Sequence, residues 1–248
     1  MKGEEDAKQA MAARFDEQAL RIRGFLRTDV RYNQEFLPPP FCIEFTGSPS
    51  SGKTTTIKQI YNFLRRHGFE VLMPQEGAEV IPGRMRDKPD YNVQTAVYAL
   101  RILLLESREH RYDFVLFDRC VFDAYHWMLY WQEKNKLSRG DAEVIQNFFL
   151  LWAQKINLSY VMVCAPDIAI RRENEVALSD KLGETTNPAA IAKMVTRFTN
   201  MYVDLAPRFP QLRLIDTSAL SKRDMILTVG AEILGTFEKA SEKRTAGA

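Results

Sequence analysis

Phe41-Cys42-Ile43-Glu44-Phe45-Thr46-Gly47-Ser48-Pro49-Ser50-Ser51-Gly52-Lys53-Thr54-Thr55 is the stretch that decides the fold. An apolar run leads into a glycine, four residues and Gly-Lys-Thr, and a helix-like segment, Lys53–Arg66, follows. Strand, glycine loop and helix in that order form the phosphate-binding loop pattern. A phosphate tail needs many donors. Gly47 and Gly52 let the backbone turn so that the amides of Ser48, Pro49's neighbours, Ser50 and Ser51 can form an anion nest. The helix start adds its positive end. Lys53 is a point cation suited to the β- and γ-phosphates. Thr54 is placed to hold Mg²⁺, and Thr55 to reach the α-phosphate. The expected ligand is ATP with Mg²⁺.

Outward from this loop, apolar runs at 41–45, 69–73, 113–118, 160–164 and 212–215 read as strands. Helical patterns fill 1–30, 92–111, 123–133, 141–155, 167–177, 189–205 and 224–239. Strands alternating with helices predict an α/β fold, a five-stranded parallel sheet with helices on both faces. Gly47, Asp118, Pro166 and Asp216 then fall at strand ends and should converge. Leu37-Pro38-Pro39-Pro40 divides an N-terminal arm and linker (1–40) from the main domain (41–240), and 241–248 reads as a loose tail. The N-terminal helix reads either as an arm for a partner or a second copy (a homodimer), or as a helix packed on the sheet.

Composition narrows the class. Of 248 residues 46% are hydrophobic, enough for a core, and the net charge of +2 gives no bulk attraction to nucleic acid or membrane. Cys42, Cys120 and Cys164 lie in or beside apolar runs without metal or paired spacing, which suggests a reduced, cytoplasmic protein. The charged N-terminus does not read as a signal peptide, and no stretch has the length of a membrane span. His67, His110 and His126 have no zinc spacing. Asn135-Lys136-Leu137-Ser138 lacks the aspartate a guanine-reading motif requires, and the aromatics Tyr125, Trp127, Tyr130 and Trp131 read mostly as core, with stacking on a base the alternative for one of them.

A second constellation is Phe117-Asp118-Arg119, at the end of an apolar strand. Asp118 there can orient Mg²⁺, and Arg119 can bind phosphate in a fork. Phosphate loop, Asp-Arg pair and the late Ile215-Asp216-Thr217-Ser218 together resemble the thymidylate kinase and deoxynucleoside kinase branch of P-loop kinases. Cys120-Val121-Phe122-Asp123 and the Thr46-Gly47 opening are closer to a less characterised ATPase group with a nicotinamide riboside kinase-like domain. The resemblance spans about residues 40–237.

That resemblance implies roles. Glu76, after the second strand, would accept or orient the acceptor's proton. Gln94 would read a base edge, and Arg84 (with Arg86) and Arg119 would meet the acceptor. Arg171 and Arg172 would be lid arginines over the moving phosphoryl group, with Lys181 as a further charge. Being adjacent on a helix, they point about 100° apart, so one of the two should face the phosphates. Asp216 and Ser218 would border the nucleotide's adenine. Glu44 lies inside a strand that reads as buried, and needs a partner. The implied activity is Mg²⁺- and ATP-dependent phosphotransfer to a nucleoside, nucleotide or related small molecule. The alternative is a regulatory ATPase or GTPase module that signals to a partner.

Overall fold

A computed structural model describes residues 2–25, 40–109, 111–175 and 187–245. The elements are α1 (Lys2–Phe25), β1 (Phe41–Gly47), α2 (Lys53–Arg66), β2 (Val71–Leu72), α3 (Gly77–Val80), α4 (Pro89–Glu109), β3 (Phe114–Asp118), α5 (Val121–Glu133), α6 (Arg139–Leu150), β4 (Leu158–Val163), α7 (Pro166–Asn174), α8 (Pro188–Leu205), β5 (Leu212–Asp216) and α9 (Lys222–Thr245). The strands form one five-stranded sheet in the order β2-β3-β1-β4-β5, with every pairing parallel. This is the α/β architecture that the alternation of apolar runs and helices predicts.

The pleat of β1 sorts its side chains between two cores. Phe41, Ile43 and Phe45 join Phe114, Leu116, Tyr160 and Met162 beneath α2 and α9. Cys42 joins Val115, Phe117, Val161 and Val163 on the other face, against α4, α5 and α8. β1 is buried along its whole length, as a central parallel strand must be. Its register pairs Phe45 with Asp118 and Gly47 with Met162, while Val163 pairs with Asp216. Gly47, Asp118 and Asp216 therefore meet along one edge of the sheet.

Several boundaries differ from the sequence reading. β2 is two residues long instead of spanning 69–73. Pro166 does more than end β4: it opens α7 in the first helical turn, where its missing N–H costs nothing. The segment expected to be one helix over 141–155 is α6 followed by a tight turn at Ala153–Lys155. The last helix continues to Thr245, into the stretch read as a loose tail. Leu37–Pro39, His110, Lys181 and the expected helix end at Ala177 lie outside the described residues.

Helix α1 lies along α9. Ala19 and Ile22 are buried in the α2–α9 core, and Gln18 and Arg21 donate to the Glu238 carboxylate. Asp16 pairs with His67 at 3.0 Å. Burying one isoleucine stabilises by about 1.5–3 kcal/mol, so the apolar contact outweighs these polar contacts. Among the described residues no helix is long and apolar enough to cross a membrane.

Candidate functional site

The loop from Gly47 to Lys53 is held open by backbone geometry that few residues tolerate. Gly47 has φ +135°, and a Cβ there would lie 1.8 Å from the Met162 carbonyl oxygen. Gly52 has φ +91° at the start of α2. No side chain caps that helix and no acidic residue stands in its first turn, so its leading amides and positive end are left for an anion. The hydroxyls of Ser48 and Ser51 are spent inside the protein: Ser48 Oγ accepts from the Cys164 amide at 3.2 Å, and Ser51 Oγ donates to Ser48 O at 2.9 Å. The Ser48 amide is spent as well, donating to Met162 O at 2.9 Å, so these two serines, expected to bind nucleotide, are buried and neither lines the cleft. Ser50, at φ +53°, donates its hydroxyl to Glu173 at 2.7 Å.

Lys53 is buried, and its Nζ donates to Gly47 O at 3.1 Å and Ser48 O at 2.7 Å. Burial, and then the Arg119 charge, lower its pKa to about 8, against the pull of Asp118, Asp123 and Glu76. Thr54 Oγ1 donates to Asp118 Oδ2 at 2.8 Å. Adjacent oxygens of an octahedral Mg²⁺ shell stand about 2.9 Å apart at the usual bond length. Two hard oxygens at this spacing, with the rest open to water, fit such an ion.

Arg119 follows Asp118 in the left-handed region, with φ +72°. Its amide donates to Phe45 O at 2.9 Å, its Nε to Glu76 Oε1 at 2.9 Å and its Nη1 to Asp123 Oδ1 at 2.6 Å. Burial works against its charge, but Asp123, Glu76 and Asp118 more than offset that and raise its pKa. Asp123 Oδ1 also accepts from the Thr46 hydroxyl at 2.6 Å. Glu44, fully buried, finds its partner in the backbone: the amides of Cys120, Phe122 and Asp123 all donate to its carboxylate. It thus caps the start of α5 from the next strand.

These groups close one end of a cavity of about 580 Å³, lined along its length by α4 and α5. Glu76 and Arg119 line it, as expected. Gln94 and Arg84 do not: both are exposed on the outside. For Gln94 the phase of α4 explains this; Arg84 sits on the turn at Gly83–Met85 before that helix. Its buried residues Asn92, Ala96, Ala99 and Leu103 recur at helical spacing, and position 94 lies on the opposite side. Asn92, Thr95 and Arg86 face the cavity instead. The Asn92 side-chain oxygen accepts from Trp131 Nε1 at 2.8 Å. Trp127, Tyr130 and Trp131, read as core, line the cavity too. Their i, i+3 and i+4 spacing was the signal that could have placed them on its wall.

On the other side of the phosphate loop, a cleft of about 640 Å³ is bounded by Gly52, Thr54, Thr55, Arg171 and Ser218. The adjacent arginines differ in their contacts. Arg172 donates from Nη1 to Ser50 O and Thr217 Oγ1, and from Nη2 to Thr217 O at 2.8 Å. It ties the loop to the end of β5. Arg171 is exposed at the cleft wall, which Arg172 lines as well. Arg172→Ala is therefore expected to lower unfolding free energy by about 2–3 kcal/mol. Arg171→Ala should leave it within about 0.5 kcal/mol in chemical denaturation. Asp216 is exposed and does not line the cleft; it accepts from the Ser218 amide at 2.9 Å and the Ser218 hydroxyl. Its role is to shape the turn that Ser218 presents.

A family model described as an AAA domain matches residues 42–213. The chain belongs to this AAA-domain family. The matched segment of this AAA domain takes in the phosphate loop, Asp118, Arg119, Arg171 and Arg172, and ends before Asp216 and Ser218. No curated protein sequence matches significantly. Among solved structures, the chain is similar to a thymidylate kinase from Candida albicans, with a TM-score of 0.54 and 11% identity. That similarity covers 81% of this chain and 93% of that one. It establishes a P-loop kinase-like fold and does not single out the nicotinamide riboside kinase-like group.

Proposed function

We propose that the chain transfers the terminal phosphoryl group of ATP, with Mg²⁺, to a small acceptor of the nucleoside or nucleotide kind. The observation that carries this reading is a second cavity. Besides the cleft at the phosphate loop, a space of about 580 Å³ ends at Glu76 and Arg119, next to Lys53 and Asp118. A site that only hydrolyses nucleotide has no use for it. The kinase-like fold supports the same reading.

In this reading the triphosphate lies on the amides of the loop and the start of α2. Thr54 and Asp118 would hold Mg²⁺, which when bound neutralises charge on the phosphate oxygens. The acceptor oxygen bonds to the γ-phosphorus as the bond to ADP breaks. Its proton passes to Glu76, whose carboxyl is raised from its ordinary value first by burial and then, against Arg119, by Asp118. Lys53 and Arg171 stabilise the charge that develops in a loose transition state.

A regulatory module that hydrolyses nucleotide and signals to a partner is the second reading. One observation favours it: Met225, near the start of α9, packs against Gly52, and the far end of the same helix carries α1. Labelled ATP incubated with a panel of nucleosides, nucleotides and nicotinamide riboside separates the two. Label on one acceptor is the expected result. Release of free phosphate alone, whatever is added, rejects the kinase in favour of the switch.

A further inference from the structure

The two ends of the second cavity differ in charge, and the difference bears on what enters first. At the inner end every cation is already engaged. Lys53 donates to loop carbonyls, and Arg119 is shared between the carboxylates of Glu76 and Asp123. With Asp118 alongside, three carboxylates face these two cations, and the Mg²⁺ that Asp118 would hold brings the negative phosphates of ATP with it. An incoming phosphate dianion would have to displace Glu76 from Arg119 or sit against like charge. A neutral hydroxyl meets neither obstacle, and Glu76 can accept its proton.

The outer end is the reverse. Helix α5, Val121–Glu133, is 13 residues long, so its two ends, one next to Arg119 and the other at Lys134, stand about 20 Å apart. Arg86, Lys134 and Lys136 form the rim, each over an aromatic ring: Arg86 over Tyr91, Lys134 over Tyr130 and Lys136 over Trp131, at 5.4–5.7 Å from the centroids. Lys136 also donates to Asp87 O, and Arg86 donates to Ala78 O at 3.4 Å. The Asp87 carboxylate offsets one of the three charges, and two remain. Between the ends lie Trp127, Tyr130 and Trp131, a wall suited to a flat ring.

We infer that the acceptor is an alcohol with a planar middle and an anionic far end, which enters hydroxyl-first toward Glu76 and leaves its anion at the Arg86–Lys134–Lys136 rim. This rests on the phosphotransferase reading and narrows it: the acceptor atom is a hydroxyl oxygen, not a phosphate oxygen. The new bond joins that oxygen to the γ-phosphorus, ADP leaves, and the hydroxyl proton goes to Glu76.

Three probes test it: uridine, 3-(2-carboxyethyl)uridine (the same hydroxyl with a carboxylate on an arm at N3, the edge of the base away from the 5′-oxygen) and uridine 5′-monophosphate. Tryptophan fluorescence titration reads binding, since Trp127 and Trp131 line the cavity. Labelled ATP reads transfer on the same three. Expected is roughly tenfold tighter binding of 3-(2-carboxyethyl)uridine than of uridine at low salt, fading as salt rises. The label should appear on its 5′-oxygen. The double change Lys134→Gln, Lys136→Gln should bring the affinity ratio to about one. Equal binding of the two nucleosides, or conversion of uridine 5′-monophosphate to the diphosphate, overturns the inference; the second result does so while leaving the phosphotransfer reading in place. Transfer to no probe, with free phosphate released, counts against that underlying reading instead, and the binding ratio still tests the charge of the rim.

Discussion

Lys53→Met is expected to cut phosphoryl transfer at least about a thousandfold while leaving the protein folded. The ammonium is buried, and burial lowers its pKa to about 8. Charge held there against a desolvation cost stabilises nothing unless an anion arrives to meet it. Removing it frees the Gly47 and Ser48 carbonyls, but Ser48 O keeps the Ser51 hydroxyl. The relief of a buried charge offsets much of that loss. Steady-state transfer beside a thermal melt checks both halves. A variant that loses activity only because it has unfolded would mean that the lysine serves the loop's structure rather than its ligand.

Glu44→Ala should be the most damaging single change to the fold outside the apolar core, at about 3–5 kcal/mol. It leaves the Cys120, Phe122 and Asp123 amides buried without an acceptor. Glu44→Gln isolates the charge. Burial, only partly countered by those amides, raises the Glu44 carboxyl to about 7 from 4.5. Between these values the folded chain keeps a proton that the unfolded chain has lost. Stability therefore falls as pH rises from about 4.5 to about 7, and the loss is complete above that. The drop should be about 3 kcal/mol in the parent protein and absent from Glu44→Gln. Urea unfolding at pH 5 and pH 8 on both proteins reads the difference. Parallel pH curves for the two would refute the role given to this carboxylate.

What the sequence made legible and what it hid divide along a physical line. The phosphate loop and strands β1, β3 and β4 could be read because central parallel strands are apolar on both faces and end where ligands bind. The Thr54–Asp118 contact follows from that convergence. Gln94 falls outside the cavity because the face a helix turns inward is set by its packing partner; Arg84, on the turn at Gly83–Met85, is exposed. Only burial of Asn92, Ala96 and Leu103 reveals the phase of α4. Glu44 announced a need without naming who would meet it, since the amides that do so lie some 76 residues away along the chain. That Arg171 and Arg172 make different contacts was legible in their 100° offset, although both line the cleft. Which arginine makes which contacts depended on where β5 ends.

The guanidinium of Arg172 has a mechanical consequence. It fastens Ser50 of the phosphate cradle to Thr217 and Leu220 beyond the last strand, three crossings of the chain sewn by one stitch. The walls that would flank the two ends of a single nucleotide cannot drift independently. A base that pushes on residues 218–220 tugs the triphosphate's seat with it, and a purine of the wrong outline would be felt as slack around phosphorus.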